Sequence, residues 1–94
     1  MTWKFEWDPE KANRNFARHG VTFEQGARAF VDKFAVEWID DREDYGEERV
    51  NLLGMCDGVL RHTTYTERKD VTRIISVRRA KGHEREHYFG ENAI

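Results

Sequence analysis

The sequence predicts an α+β fold in a single compact domain: a strand and two helices lead, antiparallel strands follow, and a helix closes the chain. Three observations predict it. Trp3, Phe5 and Trp7 alternate with Thr2, Lys4 and Glu6, which is the period of a strand with one aromatic face. The next 25 or so residues carry two helix-start signals with helical spacing of apolar residues behind each. From Phe34 onward, short runs rich in Val, Ile, Thr and Tyr are separated by polar turns. A chain of 94 residues has material for one modest core, so the domain is expected to span 1–94.

Each element has a local cause. Asp8 offers an N-cap oxygen, and Pro9 lacks only an N–H that the first helical position leaves unpaired anyway. A helix should therefore start at Pro9 and end near His19, with Gly20 as its left-handed cap. Ala12 and Phe16 give it a narrow apolar stripe; Lys11, Arg14 and Arg18 lie elsewhere on its surface, a pattern more often solvated than binding. Thr22-Phe23-Glu24-Gln25 has the spacing of a capping box, and Phe23, Ala27, Phe30 and Val31 extend a second helix to about Asp32. Phe34, Val36 and Trp38 form a short strand, which the acidic DDREDYGEE of residues 40–48 interrupts. Residues 49–56 make the next strand, and Asp57-Gly58 is a two-residue hairpin turn onto Val59. Residues 59–66 and 71–79 form a second hairpin around Glu67 to Asp70, and a helix follows from Lys81 to about Phe89. The sheet is expected to be a meander.

If Thr66 lies opposite Val71, strict alternation places Leu60, His62, Arg73, Ile75, Val77 and Arg79 on one face. Arg61, Tyr65, Ile74, Ser76 and Arg78 then fall on the other. Both faces hold apolar residues and arginines, so alternation leaves open which is buried, and a bulge would exchange the sets.

Charge singles out the same hairpin. Residues 60–89 carry eight of the 16 Lys and Arg, three of the four His and only four of the 18 acidic residues, so a net of −2 conceals two halves of opposite sign. Three tryptophans give enough aromatic area to oppose disorder despite 36% charged residues. Cys56 has no cysteine partner and apolar neighbours, which suits a reducing compartment. No apolar run reaches membrane-spanning length and no signal-peptide core opens the chain, so a cytoplasmic protein is expected.

Two motifs carry chemistry. His83-Glu84-Arg85-Glu86-His87 satisfies H-E-x-x-H, but a third zinc ligand is not evident and the pattern arises easily in a charged helix. No metal and no cofactor is expected. Arg78, Arg79 and Lys81 stand where a strand ends and a helix begins, suited to phosphate because the guanidinium fork stays charged; the plainer alternative is that they pair with Glu84, Glu86 or the acidic loop. Tyr65 and His62 add rings for base stacking or proton transfer.

FEWDPEKANRNFARHGVTFEQGARAF, GEERVNLLG, YTER, RIISVRRA and the later Glu84-Arg85 with Tyr88 together resemble the BrnT family of bacterial toxins. The resemblance implies a RelE-like fold and a type II toxin that stops translation by cleaving RNA. It also implies a BrnA-like antitoxin of ribbon-helix-helix type, through which the pair would reach operator DNA. At two positions where members often carry His, this chain has Glu43 and Tyr65, leaving the acid and base open. Metal-free RNA cleavage needs the 2′-hydroxyl deprotonated, the added negative charge on phosphorus offset, and the 5′-oxygen protonated. Arg73, Arg78, Arg79 and Tyr65 are the expected catalytic residues, with Lys81, Arg68, Glu67 and Arg61 binding substrate. Tyr65 would need cationic neighbours to lower its pKa. The rival reading is a noncatalytic nucleic-acid-binding module that uses the same basic hairpin.

Overall fold

A computed structural model describes residues 3–92. In chain order they form β1 (Phe5–Glu6), α1 (Pro9–His19), α2 (Phe23–Arg28) running into a 3₁₀ turn (Ala29–Val31), and β2 (Val36–Asp40). Then come β3 (Arg49–Cys56), β4 (Val59–Arg68), β5 (Val71–Arg79) and α3 (Gly82–Glu91). The α+β expectation holds, with one addition. β2 to β5 are the expected antiparallel meander, but β1 joins its far edge parallel to β5, pairing Phe5 with Thr72 and Glu6 with Arg73. The sheet is therefore mixed, in the order β1-β5-β4-β3-β2.

The local signals act as the sequence indicates. Asp8 accepts from the Glu10 N–H at 2.9 Å, and Gly20 ends α1 at φ 68 with its N–H on the Phe16 carbonyl. Thr22 and Gln25 close both halves of the capping box. Asp57 and Gly58 both have positive φ, as a type I′ turn requires. The second hairpin differs: its turn is only Lys69 and Asp70, with Arg68 opposite Val71, so Glu67 and Arg68 belong to β4. Lys69, at φ 58, supplies the left-handed conformation.

A β-bulge decides the faces. Tyr65 pairs with Ile74 while Thr64 pairs with Ser76, so Ile75 has no partner and the alternation of β5 shifts by one. Val77 and Arg79 therefore join Thr63, Arg61, Tyr65 and Ile74, whereas Arg78 and Ser76 join His62, Thr64 and Leu60. The two sets read from strict alternation are thus recombined.

The first of these faces lies under α1, α2 and the 3₁₀ turn. Val21, Phe23, Ile74 and Val77 form one cluster there; Ala29, Leu52, Cys56 and Tyr65 form another. Phe30 links them to β1, its ring 5.1 Å from Phe5 and 4.9 Å from Tyr65, both edge-on. The 3₁₀ turn comes this close because position 54 is glycine: a Cβ there would collide with the Ala29 carbonyl oxygen. On the opposite face Leu53, Leu60 and Tyr88 form the smaller cluster beneath α3. The Tyr88 hydroxyl donates to Asp32 at 2.6 Å, and Asp32 also accepts from the Met55 N–H, which fixes α3 against β3.

Beyond Arg73, β5 has no strand on its outer side, and Asn15 of α1 takes that place. Its side-chain nitrogen donates to the carbonyls of Val77 and Val21, and its oxygen accepts the Val77 N–H at 3.1 Å. Removing this buried amide leaves several polar backbone groups without partners, so Asn15→Ala should cost on the order of 2 to 3 kcal/mol. Asn13→Ala, on the exposed side of the same helix, should change stability by less than about 0.5 kcal/mol. Urea unfolding of the two variants checks this, and equal losses would mean that the amide contributes nothing.

Candidate functional site

The bulge and α3 together make a polar cleft of about 280 Å³ on the α3 face, lined by Trp38, Asn51, His62, Arg78, Lys81 and His83 among others. Its centre is the carboxylate of Glu84. Glu84 sits in the first turn of α3, where it accepts the Lys81 N–H at 2.8 Å and so caps the helix that carries it. Arg78 grips it with both terminal nitrogens, at 2.7 and 2.8 Å, and the His62 Nε2 lies 3.6 Å away. Burial by itself would raise the Glu84 carboxyl; the bonds from Arg78 and Lys81 and the charges around it overcome that and hold it at about 2. His62 is pushed down to about 4, first by burial and then by the Arg78 charge, against the opposing pull of Glu84. At neutral pH it is an uncharged imidazole, and its Nδ1 is buried without a hydrogen-bond partner.

Arg78 also donates to the Arg79 carbonyl at 3.2 Å, which leaves two of its five N–H groups uncommitted. The guanidinium is consequently held rigidly and still has donors to offer. Trp38 stands over the cleft, its ring edge-on to His62 at 5.7 Å and to His87 at 5.6 Å.

The expected site residues fall into five places rather than one. Arg78 and Lys81 meet in the cleft. Arg79 is exposed and lies opposite Arg61 on the other face of the sheet, where Arg61 is buried with its Nε unpartnered. Arg73 is roughly 16 Å along β5 from Arg78 at 3.3 Å per residue, and it is paired with Glu6 at 2.7 Å. Glu67 and Arg68 lie at the opposite end of the hairpin, Glu67 accepting from the Thr72 hydroxyl and Arg68 reaching Glu47. The grouping of Arg73 with Arg78 and Arg79 on the strength of a shared strand is thereby corrected.

Tyr65 is on the helix-covered face, 6% exposed, and its hydroxyl donates to Glu37. Burial raises its pKa, and Glu37 and Glu67 raise it further. The cations needed to lower it are not beside it, so the structure sets Tyr65 apart from the arginines. Glu84, the acid of the H-E-x-x-H pattern, is turned into the sheet and consumed by Arg78, and among the described residues no group of three His, Cys, Asp or Glu is arranged to hold a metal.

Trp38 and Asn51 carried no site expectation, Glu84 entered only through the H-E-x-x-H pattern and the family motif, and His62 received only a supporting role. The available signal was the Lys81-x-x-Glu84 spacing, which is that of a helix-capping carboxylate three residues after the N-cap. Two acids of the acidic loop are paired: Arg42 makes two 2.8 Å bonds to Asp40, and Arg49 lies 3.6 Å from Glu47. Among the described residues no helix is long and apolar enough to cross a membrane.

A mixed sheet with helices on both faces and, at a strand end, a polar cleft where Arg42, Arg78 and Lys81 stand among Asp40, Asp41 and Glu84 define a small α+β protein with its charged groups gathered on the α3 face. Residues 7–84 match the family model described as the ribonuclease toxin BrnT of type II toxin-antitoxin systems, and the chain belongs to that family. No curated protein matches it.

Arg78→Ala should strand the buried Glu84 carboxylate and cost about 3 to 5 kcal/mol, whereas a second change, Glu84→Gln, should recover much of that. A double-mutant cycle measured by chemical unfolding gives the coupling, and additive losses would remove the ion pair from the account. The pH dependence follows from the depressed pKa values. The unfolded chain binds a proton at His62 below about 6.5 while the folded one does not until about 4, so stability falls as pH drops through that window. Glu84 extends the loss from about 4.5 towards 2. His62→Gln should abolish up to about 3 kcal/mol of the fall between pH 6.5 and 4, seen as a flatter plot of unfolding free energy against pH. An unchanged slope would show that His62 titrates normally.

Proposed function

We propose that this chain is a metal-independent endoribonuclease toxin that stops translation by cutting RNA, with the cleft between α3 and the sheet receiving the scissile phosphate. The observation that carries the reading is the meeting of Arg78, Lys81 and a neutral His62 beside the Glu84 carboxylate, with Arg42 balancing Asp40 elsewhere in the cleft, in a chain of a ribonuclease toxin family. The 2′-oxygen attacks phosphorus, the bond to the 5′-oxygen breaks, and the products are a 2′,3′-cyclic phosphate and a 5′-hydroxyl. Arg78 is preorganised by Glu84, so its free donors offset the charge that develops on the phosphoryl oxygens without reorganising. Lys81 holds a neighbouring phosphate at the cleft, Arg79 does so from the strand end beyond it on the other face, and Trp38 offers a ring for a base to stack on. His62 and the exposed His83 both line the cleft, and an imidazole there takes the 2′-hydroxyl proton and returns it to the 5′-oxygen as the bond to phosphorus breaks.

The toxin's partner is a BrnA-like ribbon-helix-helix antitoxin that covers the cleft and carries the pair to operator DNA, and the reaction takes place in the cytoplasm. A covering surface of negative charge would associate faster at low salt.

In single-turnover assays with a chelator present, the protein should convert RNA to fragments ending in 2′,3′-cyclic phosphate. Arg79→Ala, which removes an exposed group, should leave the thermal transition unchanged and weaken RNA binding in a salt-dependent way. The Arg78→Ala/Glu84→Gln pair should lose on the order of 100-fold or more in cleavage rate, as for removal of an oxyanion donor. Retention of parental cleavage by that folded pair would place the chemistry elsewhere, and RNA bound but never cut would leave a binding module.

A further inference from the structure

The cations of α1 lie outside the cleft and are not accounted for by it. Lys11, Arg14 and Arg18 recur at helical intervals of three and four on one exposed side of α1, and among the described residues none has a carboxylate partner. They do not merely decorate a convex helix. With His19 they line a groove of about 350 Å³ whose other wall is Ile75 and Ser76 of β5, at the bulge and along the sheet edge that no strand covers. Asn15, between them on the helix, is fully occupied in sealing the Val77 backbone and fixes the distance between the walls.

The groove and the cleft share no lining residue but adjoin along β5. Ser76 shares the α3 face of the sheet with Arg78, two residues further along the same strand, so the passage from one to the other follows the strand surface. The charges also converge. His19 is depressed in pKa, first by slight burial and then by Arg18 from one side and Arg78 from the other. A concave site with three unpaired cations, a hydroxyl and no carboxylate in its lining suits a chain of phosphodiesters better than a single small anion, which would leave most of that charge unused.

We propose that the groove between α1 and the open edge of β5 binds the backbone of single-stranded RNA that flanks the scissile phosphate, through Lys11, Arg14 and Arg18. This rests on the ribonuclease reading of the cleft and adds a second contact site to it. The groove positions substrate and takes no part in bond making, so short RNA that fills only the cleft does not need it.

The test uses the full chain and the variant Lys11→Ala/Arg14→Ala/Arg18→Ala, whose exposed, unpaired side chains can be removed with the thermal transition unchanged. Binding of a fluorescent single-stranded RNA of about a dozen nucleotides is followed by anisotropy across a range of salt concentrations. Loss of three phosphate contacts should weaken binding by at least about tenfold at low salt and make the slope of log affinity against log salt shallower by about 2. Cleavage of the same RNA should show a raised KM with kcat nearly unchanged, while cleavage of a dinucleotide should not respond. Parental affinity and salt slope in the folded variant would overturn the proposal. So would intact RNA binding with loss of neutralisation by the antitoxin, which would give the groove to an acidic protein. If the parent binds RNA through the groove but cuts none, the groove stands and the ribonuclease reading of the cleft falls.

Discussion

The Glu84 carboxylate is the point on which the α3 side of this molecule turns. One buried charge is satisfied by a backbone N–H at its own helix start and by a two-point contact with Arg78 at the end of β5, with the His62 imidazole nearby. That arrangement fixes the helix to the sheet, depresses its own pKa, and aims a guanidinium into the cleft. Buried ion pairs contribute little net stability compared with apolar packing, and the cost of keeping one is consistent with a role in holding a functional group in place. The Tyr88 to Asp32 bond secures the following turn, so a helix with only one small apolar cluster beneath it is held mainly by polar anchors.

The two faces of the sheet do different work, and the bulge at Ile75 divides them. Toward α1 and α2 the residues are apolar and aromatic, and Tyr65 belongs to that core with its hydroxyl on Glu37. Toward α3 they are His62, Thr64, Ser76 and Arg78, with Asn51 and Trp38 beside them. Shifting the alternation by one residue is what lets Val77 complete the core while Arg78, its neighbour, faces the cleft. Without the bulge those two would change places, and a buried arginine would stand opposite an exposed valine.

The free edge of β5 is a liability that α1 converts into a surface. A strand with unpaired edge groups invites pairing with another chain, and Asn15 blocks this by supplying both a donor and an acceptor to Val77. The same contact holds the cationic side of α1 next to the bulge. Edge protection and charge display are thus two consequences of one buried amide.

The sequence by itself determined what depends on neighbouring residues. Asp8-Pro9 and Gly20 bounded α1, Thr22 to Gln25 started α2, Asp57-Gly58 turned the first hairpin, and the family could be read from short motifs in their order. Caps and tight turns need only a few residues in sequence to satisfy their backbone groups, so they are legible locally. The tertiary structure alone decided the rest. Pairing of Phe5 with Thr72 joins segments far apart in the chain, and no local pattern announces it. The bulge at Ile75 changed which arginine faces the cleft; charge counting offered Glu84 as one of several partners for Arg78, and only the packing chose it and gave Arg73 to Glu6. Period-2 alternation fixes a side chain's direction only relative to its neighbours, and a single unpaired residue reverses it. The facing of the site therefore follows from long-range packing, which puts Val77 against Asn15 and Phe23's cluster and leaves Arg78 the other side.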